Sequence, residues 1–156
     1  MTPPPVPASD LPDTDVLRLD HQVCFSLHAA SRAFGGVYRE ALRDLGLTYP
    51  QYLAMMVLWE HGPLPVKRIG ERLHLDSGTL SPLLKRLESA GLVRRERSNE
   101  DERSVTVHLT EAGVGLRERA LHVPRSILRA TGLSVQEVLA LQETLGRLTE
   151  SLGQAG

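Results

Sequence analysis

The stretch from Leu64 to Leu109 constrains the chain most, because its apolar periodicity changes along it. Val66, Ile69 and Leu73 are spaced three and four apart, as in a short helix with one inward face. After Leu75, either Asp76 or Ser77 can cap a second helix. That helix carries Leu80, Leu83, Leu84 and Leu87 on its buried side and stops at Gly91. The pattern then turns extended, so that Leu92 to Arg97 and Val105 to Leu109 read as two strands. Between them Ser98-Asn99-Glu100-Asp101-Glu102-Arg103-Ser104 is polar and charged throughout, a hairpin tip.

On either side of this segment the pattern is helical. Val16, Leu19, Val23, Leu27, Ala30, Phe34, Val37, Ala41 and Leu45 keep a three-four spacing up to Gly46, which predicts one long helix over about 15–46. A second helix fits Pro50 to His61, ended by Gly62-Pro63. Thr110-Glu111 opens another helical stretch over 111–131, which Pro124 interrupts just after His122. Ser134 caps the last helix, over 134–152. Its Val138, Leu141, Leu145, Leu148 and Leu152 form the seam of a helix–helix interface. Residues 1–14 contain five prolines and little to bury, and are expected to form a disordered arm. The remainder, 15–152, reads as a single domain. The fold class that follows is mainly α with a small β-hairpin wing: a winged helix-turn-helix over 64–110, followed by a last helix whose leucine seam is open to a partner helix.

Composition excludes several classes of function. The formal net charge is −1, so a globally basic nucleic-acid binder is ruled out. Charge is unevenly spread, however. Residues 64–103 hold nine Lys or Arg against seven Asp or Glu, leaving nine against twelve elsewhere. The longest strongly apolar run, Leu53 to Trp59, is far short of the ~20 residues of a membrane span. Residues 1–17 have no Lys or Arg and no apolar core, so a signal peptide is not expected and the cytoplasm is the expected location. Cys24 is the single cysteine, which excludes an intramolecular disulfide and a multi-cysteine zinc site. No cofactor is implied.

A recognition helix enters the major groove with its N-terminal residues near base edges. The non-leucine side of the helix after Asp76 offers Ser77, Thr79, Ser81, Lys85 and Arg86 for this purpose. Hydroxyls can bond base edges, and the cations can neutralise phosphates. Gly78 removes a side chain where the backbone can approach DNA. At the tip, Arg103 is long enough for a minor groove, and Asp101 can hold it by a paired hydrogen bond.

The run Asp76-Ser77-Gly78-Thr79-Leu80-Ser81-Pro82-Leu83-Leu84-Lys85-Arg86-Leu87-Glu88 resembles the MarR family of regulators. So do Gly91-Leu92-Val93, Asp101-Glu102-Arg103-Ser104 and Leu109-Thr110-Glu111-Ala112-Gly113. The resemblance covers about residues 15–152. It implies a homodimer joined through the N- and C-terminal helices, with one winged domain per subunit, bound to a palindromic double-stranded DNA site. Cys24-Phe25-Ser26-Leu27, Leu47-Thr48-Tyr49-Pro50-Gln51-Tyr52-Leu53 and Leu58-Trp59-Glu60 further resemble the organic hydroperoxide sensor branch, the OhrR repressors. That resemblance implies Cys24 as the peroxide-reactive group, with Tyr38 and Tyr49 of the partner subunit hydrogen-bonded to it. Oxidation would then release the operator, and the sulfenic acid would pass to a mixed disulfide with a small cellular thiol, to a sulfenamide, or to over-oxidation. Family members often carry tyrosine four residues after the cysteine; here His28 stands there, one turn away and able to assist thiolate formation if protonated.

Cys24 and Tyr38 are fourteen residues apart on one predicted helix. At ~1.5 Å per residue they lie roughly 21 Å apart along it. They can meet only if two copies of the helix cross antiparallel near residue 31, where Ala29-Ala30-Ser31 permits close approach. Two other readings stay open. His21, Cys24 and His28 share a helical face and could bind a soft metal, and a phenolic ligand could release the protein with Cys24 inert. An enzyme such as a thiol peroxidase is not expected, because no resolving cysteine is present.

Overall fold

The computed structural model describes residues 16–98, 100 and 103–155. The expected arm over 1–14 and Asp101 lie outside these residues. The chain divides into two units, 1–37 and 38–156.

In the first unit, Leu19–His21 forms a 3-10 turn and Gln22 is extended, with φ −91° and ψ 112°. The α-helix α1 (Val23–Ala41) begins only after it. The expectation of one helix from residue 15 to 46 is therefore corrected at both ends. The Gln22 side-chain amide donates to the carbonyls of Val16 (2.7 Å) and Arg18 (2.8 Å), fixing a bend that the apolar spacing does not register. At the other end, Arg43–Leu45 tightens to a 3-10 turn and Gly46 closes it at φ 67°. Cys24 is thus the second residue of α1, beside the positive end of its dipole.

The second unit holds the winged module. α2 (Tyr49–His61) starts at a capping box in which Thr48 and Gln51 satisfy each other's backbone N–H groups. β1 (Leu64–Pro65) leads into α3 (Val66–Leu73), and His74 takes a left-handed conformation at φ 56° to turn the chain. Asp76, rather than Ser77, caps α4 (Ser77–Ser89). Its carboxylate accepts from Thr79 N–H at 2.7 Å, and this bond holds its pKa below the ordinary carboxylate range. Leu80, Leu83, Leu84 and Leu87 are all buried, against a core of Met55, Leu58 and Ile69. Each such side chain is worth ~1.5–3 kcal/mol of burial, which is what fixes α3 and α4 on α2.

β2 (Val93–Arg97) and β3 (Val105–Leu109) pair antiparallel with Arg95 opposite Val107. β1 adds to the other side of β3, giving the order β1-β3-β2. This third strand was not expected. Two residues carry no alternation, and Leu64–Pro65, already biased to extended backbone by the proline, pairs with the free edge of β3.

α5 (Glu111–Ala120), capped by Thr110, stops at Leu121, and α6 (His122–Thr131) starts afresh. Pro124, in the first turn of α6, has no N–H to continue α5, so 111–131 is two helices. α7 (Val135–Gln154) is capped by Ser134 with Glu137. Neither α1 nor α7 has a buried residue. Among the described residues no helix is long and apolar enough to cross a membrane.

Candidate functional site

Two sets of side chains carry chemistry. The first lies around a groove of about 1000 Å³ between α3, α4 and the wing strands. Ser77 and Ser81 line it from α4, and Arg103 lines it from the wing. Gly78, Thr79, Lys85 and Arg86 are exposed on α4 outside the groove. Lys67, His74 and Arg95 also line it, and apolar periodicity does not single them out. Lys67 could have been found from helix-turn-helix geometry alone, since the first helix of such a pair crosses the DNA backbone.

The wing is tied down at its root. Thr110 N–H donates to the Leu92 carbonyl (3.1 Å), and the Thr110 hydroxyl donates to that of Gly91 (2.6 Å). Arg95 N–H donates to the Glu88 carboxylate at 2.9 Å, and the Arg95 guanidinium reaches the other oxygen of that carboxylate at 3.2 Å. This bonding keeps the Glu88 carboxyl below its ordinary range.

The second set is aromatic. The rings of Tyr38 and Tyr49 lie 4.5 Å apart, centroid to centroid. Tyr52 is buried 6.0 Å from Tyr38 and 6.5 Å from Trp59, which it meets edge-on. Trp59 Nε1–H donates to the Gly113 carbonyl at 2.9 Å. Apolar periodicity does not single out Tyr52; its spacing of three from Tyr49 and seven from Trp59 is the signal that would have placed it in this row.

The Tyr38 phenol is pushed up to about 12, first by burial and then by its neighbours Tyr49 and Tyr52. Tyr52 is raised as well, again first by burial. Tyr38 therefore remains a hydrogen-bond donor across the physiological range. In the unfolded chain it would lose its proton near pH 10, whereas the fold retains it to about 12. The stability from this protonated phenol is fully present below pH 10 and is lost as pH rises through that window. In an alkaline titration followed at 295 nm, Tyr38→Phe should abolish the step near pH 12. Persistence of that step would assign it elsewhere.

Cys24 is exposed on α1, as is His28. Among the described residues no three His, Cys, Asp or Glu side chains group as a metal site, so the alternative set His21, Cys24 and His28 is not assembled.

A helix pair whose second helix presents Ser77 and Ser81 beside a three-stranded wing defines a winged helix-turn-helix protein. Residues 37–119 match the family model described as transcriptional regulator SarA/Rot. The chain is 49% identical over 140 residues to the organic hydroperoxide resistance transcriptional regulator of Bacillus subtilis (strain 168), covering 90% of this chain and 95% of that one. Among solved structures it resembles reduced AbfR bound to DNA, at 37% identity and a TM-score of 0.75, over 89% of this chain and 97% of that one. It also resembles over-oxidised AbfR bound to DNA, at 36% identity and a TM-score of 0.73, over 88% and 97%; AbfR is a protein of Staphylococcus epidermidis. The chain belongs to the SarA/Rot family of MarR-like transcriptional regulators, in the branch of the organic hydroperoxide resistance regulator.

Proposed function

We propose that the chain is a homodimeric repressor of the cytoplasm, with no catalytic role, that binds a palindromic operator and leaves it when an organic hydroperoxide oxidises Cys24. The observation that carries this reading is the ring pair Tyr38 and Tyr49, with centroids 4.5 Å apart and planes tilted by 40°. Two adjacent phenol donors suit an anionic sulfur, and Cys24 is the single sulfur nucleophile of the chain. The name of the Bacillus subtilis relative supplies the inducer class.

Ser77, Gly78, Thr79, Ser81, Lys85 and Arg86 would face the major groove, and Arg103 with Asp101 the minor groove. The dimer follows from exposed apolar faces. Val23, Phe25 and Phe34 on α1 and Leu139, Leu141 and Leu152 on α7 are exposed, and a second copy would cover them. On α1 the ~21 Å between Cys24 and Tyr38 is too long for contact within one straight helix. Antiparallel crossing of two α1 helices would bring each sulfur to the partner's Tyr38 and Tyr49.

The thiolate sulfur attacks one peroxide oxygen, the O–O bond breaks, and the alkoxide leaves and takes up a proton as alcohol. Sulfur is oxidised by two electrons to the sulfenic acid and the hydroperoxide is reduced. A small thiol then condenses with the sulfenic acid, releasing water and leaving a mixed disulfide. The larger group no longer fits among the phenols, α1 shifts, and the two wings lose the spacing of one helical turn, ~34–36 Å, that both half-sites require.

The test uses a duplex selected from a random pool by the reduced wild-type dimer. Cumene hydroperoxide plus a small thiol should weaken wild-type binding by about 100-fold and leave Cys24→Ser unchanged. Equal release of both proteins would refute sensing at Cys24. Release by a phenolic compound alone, with no peroxide effect, would favour the ligand-responsive alternative.

A further inference from the structure

We propose that Glu88 is a positioning residue for DNA recognition, setting the wing against the recognition helix and holding Arg95 away from the phosphate backbone. This rests on the reading that the chain binds DNA through α4 and the wing.

Glu88 occupies the last turn of α4, and β2 is an edge strand of the sheet. Ser98 N–H donates to the Ser104 carbonyl and Thr110 N–H to that of Leu92. Positions 92 and 98 therefore face β3, and by the alternation of an antiparallel pair so do 94 and 96. The N–H of Arg95 points the other way, off the free edge. Glu88 Oε2 accepts that N–H at 2.9 Å, while Oε1 accepts from Arg95 Nε at 3.4 Å and from Nη2 at 3.2 Å. One carboxylate thus binds both the backbone and the side chain of a single wing residue. A side-chain pair alone would hold charge without fixing an angle; adding the main-chain bond makes this a two-point brace between helix and strand.

The second half of the proposal follows from where Arg95 lies. It lines the groove together with Lys67, His74, Ser77, Ser81 and Arg103. The side chains of Arg95 and Glu88 keep 32% and 38% of their exposure, so Arg95 is within reach of solvent and would be within reach of a phosphate if released. A free guanidinium there would bind any duplex, adding affinity without sequence information. Glu88 therefore raises discrimination in two ways: it fixes the wing's approach, and it removes a non-selective cation.

Full-length dimers carrying Glu88→Ala and Glu88→Gln are compared with wild type by fluorescence anisotropy, on the selected duplex and on a random duplex of equal length. Glu88→Ala should lose about tenfold in affinity for the selected duplex, the scale of a lost charge-assisted hydrogen bond. Its affinity for the random duplex should hold or rise, with a salt slope steeper by about one. Glu88→Gln keeps an acceptor for the Arg95 N–H and should fall between. A fold defect would lower both affinities together, so the ratio separates positioning from damage. If Glu88→Ala fails to dimerise, Glu88→Gln decides on the same ratio. An unchanged ratio, or parallel loss on both duplexes, overturns the proposal. A wild type that selects no duplex overturns the DNA-binding reading itself, and this role with it.

Discussion

Replacing Gly113 by alanine is expected to lower the melting temperature by roughly 10 °C, about 3 kcal/mol for a chain of this size. A Cβ at Gly113 would collide with the Leu92 carbonyl oxygen and lie 3.2 Å from Leu109 Cδ2. The first contact is backbone against methyl, and no rotamer relieves it. The glycine also cannot slide away. Its N–H donates to the Thr110 hydroxyl at 3.1 Å, and its carbonyl accepts from Trp59 at 2.9 Å. The Leu92 carbonyl is fixed in turn by Thr110 N–H. Relief must therefore come from prising α5 off the wing root or off α2. Gly115, two residues on, is the control: an added Cβ there meets nothing within 4 Å. Gly115→Ala should stabilise slightly, by at most about 1 kcal/mol, because alanine loses less backbone entropy in a helix. Differential scanning fluorimetry of the two variants decides. A Gly113→Ala protein melting within 2 °C of wild type would mean that the junction yields.

The same junction shows what a sequence does and does not carry. The four leucines of α4 were legible, and its cap was narrowed to Asp76 or Ser77, because helical period and capping chemistry are written in neighbouring side chains. The break at Pro124 was legible for the same reason, as a missing N–H. The bend at Gln22 was not, because the apolar spacing runs straight through it while a polar side chain takes carbonyls from the preceding turn. β1 was hidden because two residues have no period. The groove set was half visible. Ser77, Ser81 and Arg103 follow from the motif, but Arg95 gains its meaning from Glu88 across a helix–strand junction. Tyr52 was hidden because the ring it meets, Tyr38, lies on another helix. For β1, Arg95 and Tyr52 the missing information is a contact between elements, which no local pattern encodes; for Gln22 it is a side-chain bond to the preceding turn.

The phenols should act from the opposite subunit, and mixed dimers can demonstrate it. Tyr38→Phe with Tyr49→Phe keeps both rings and removes both hydroxyl donors. Hydrogen bonds to a charged group are worth ~1.5–3 kcal/mol each, so loss of two should slow oxidation of Cys24 in this double variant by at least about 100-fold. Cys24→Ser does not react at all. Combining one subunit of each kind makes the outcome depend on geometry alone. If sulfur and phenols meet across the dimer, the reactive Cys24 of the phenylalanine-bearing subunit faces two intact tyrosines on its partner. One site per dimer is then complete and reacts at the wild-type rate. If they meet within a subunit, that cysteine faces phenylalanine and the mixed dimer stays slow. The readout is stoichiometric trapping of sulfenic acid with a dimedone probe during a single exposure to hydroperoxide. A fast phase of half the wild-type amplitude is the expected result, and its absence would place the phenols on the sulfur's own chain. The ~21 Å along α1 between Cys24 and Tyr38 favours the first arrangement, since a continuous helix cannot fold back on itself to close that span.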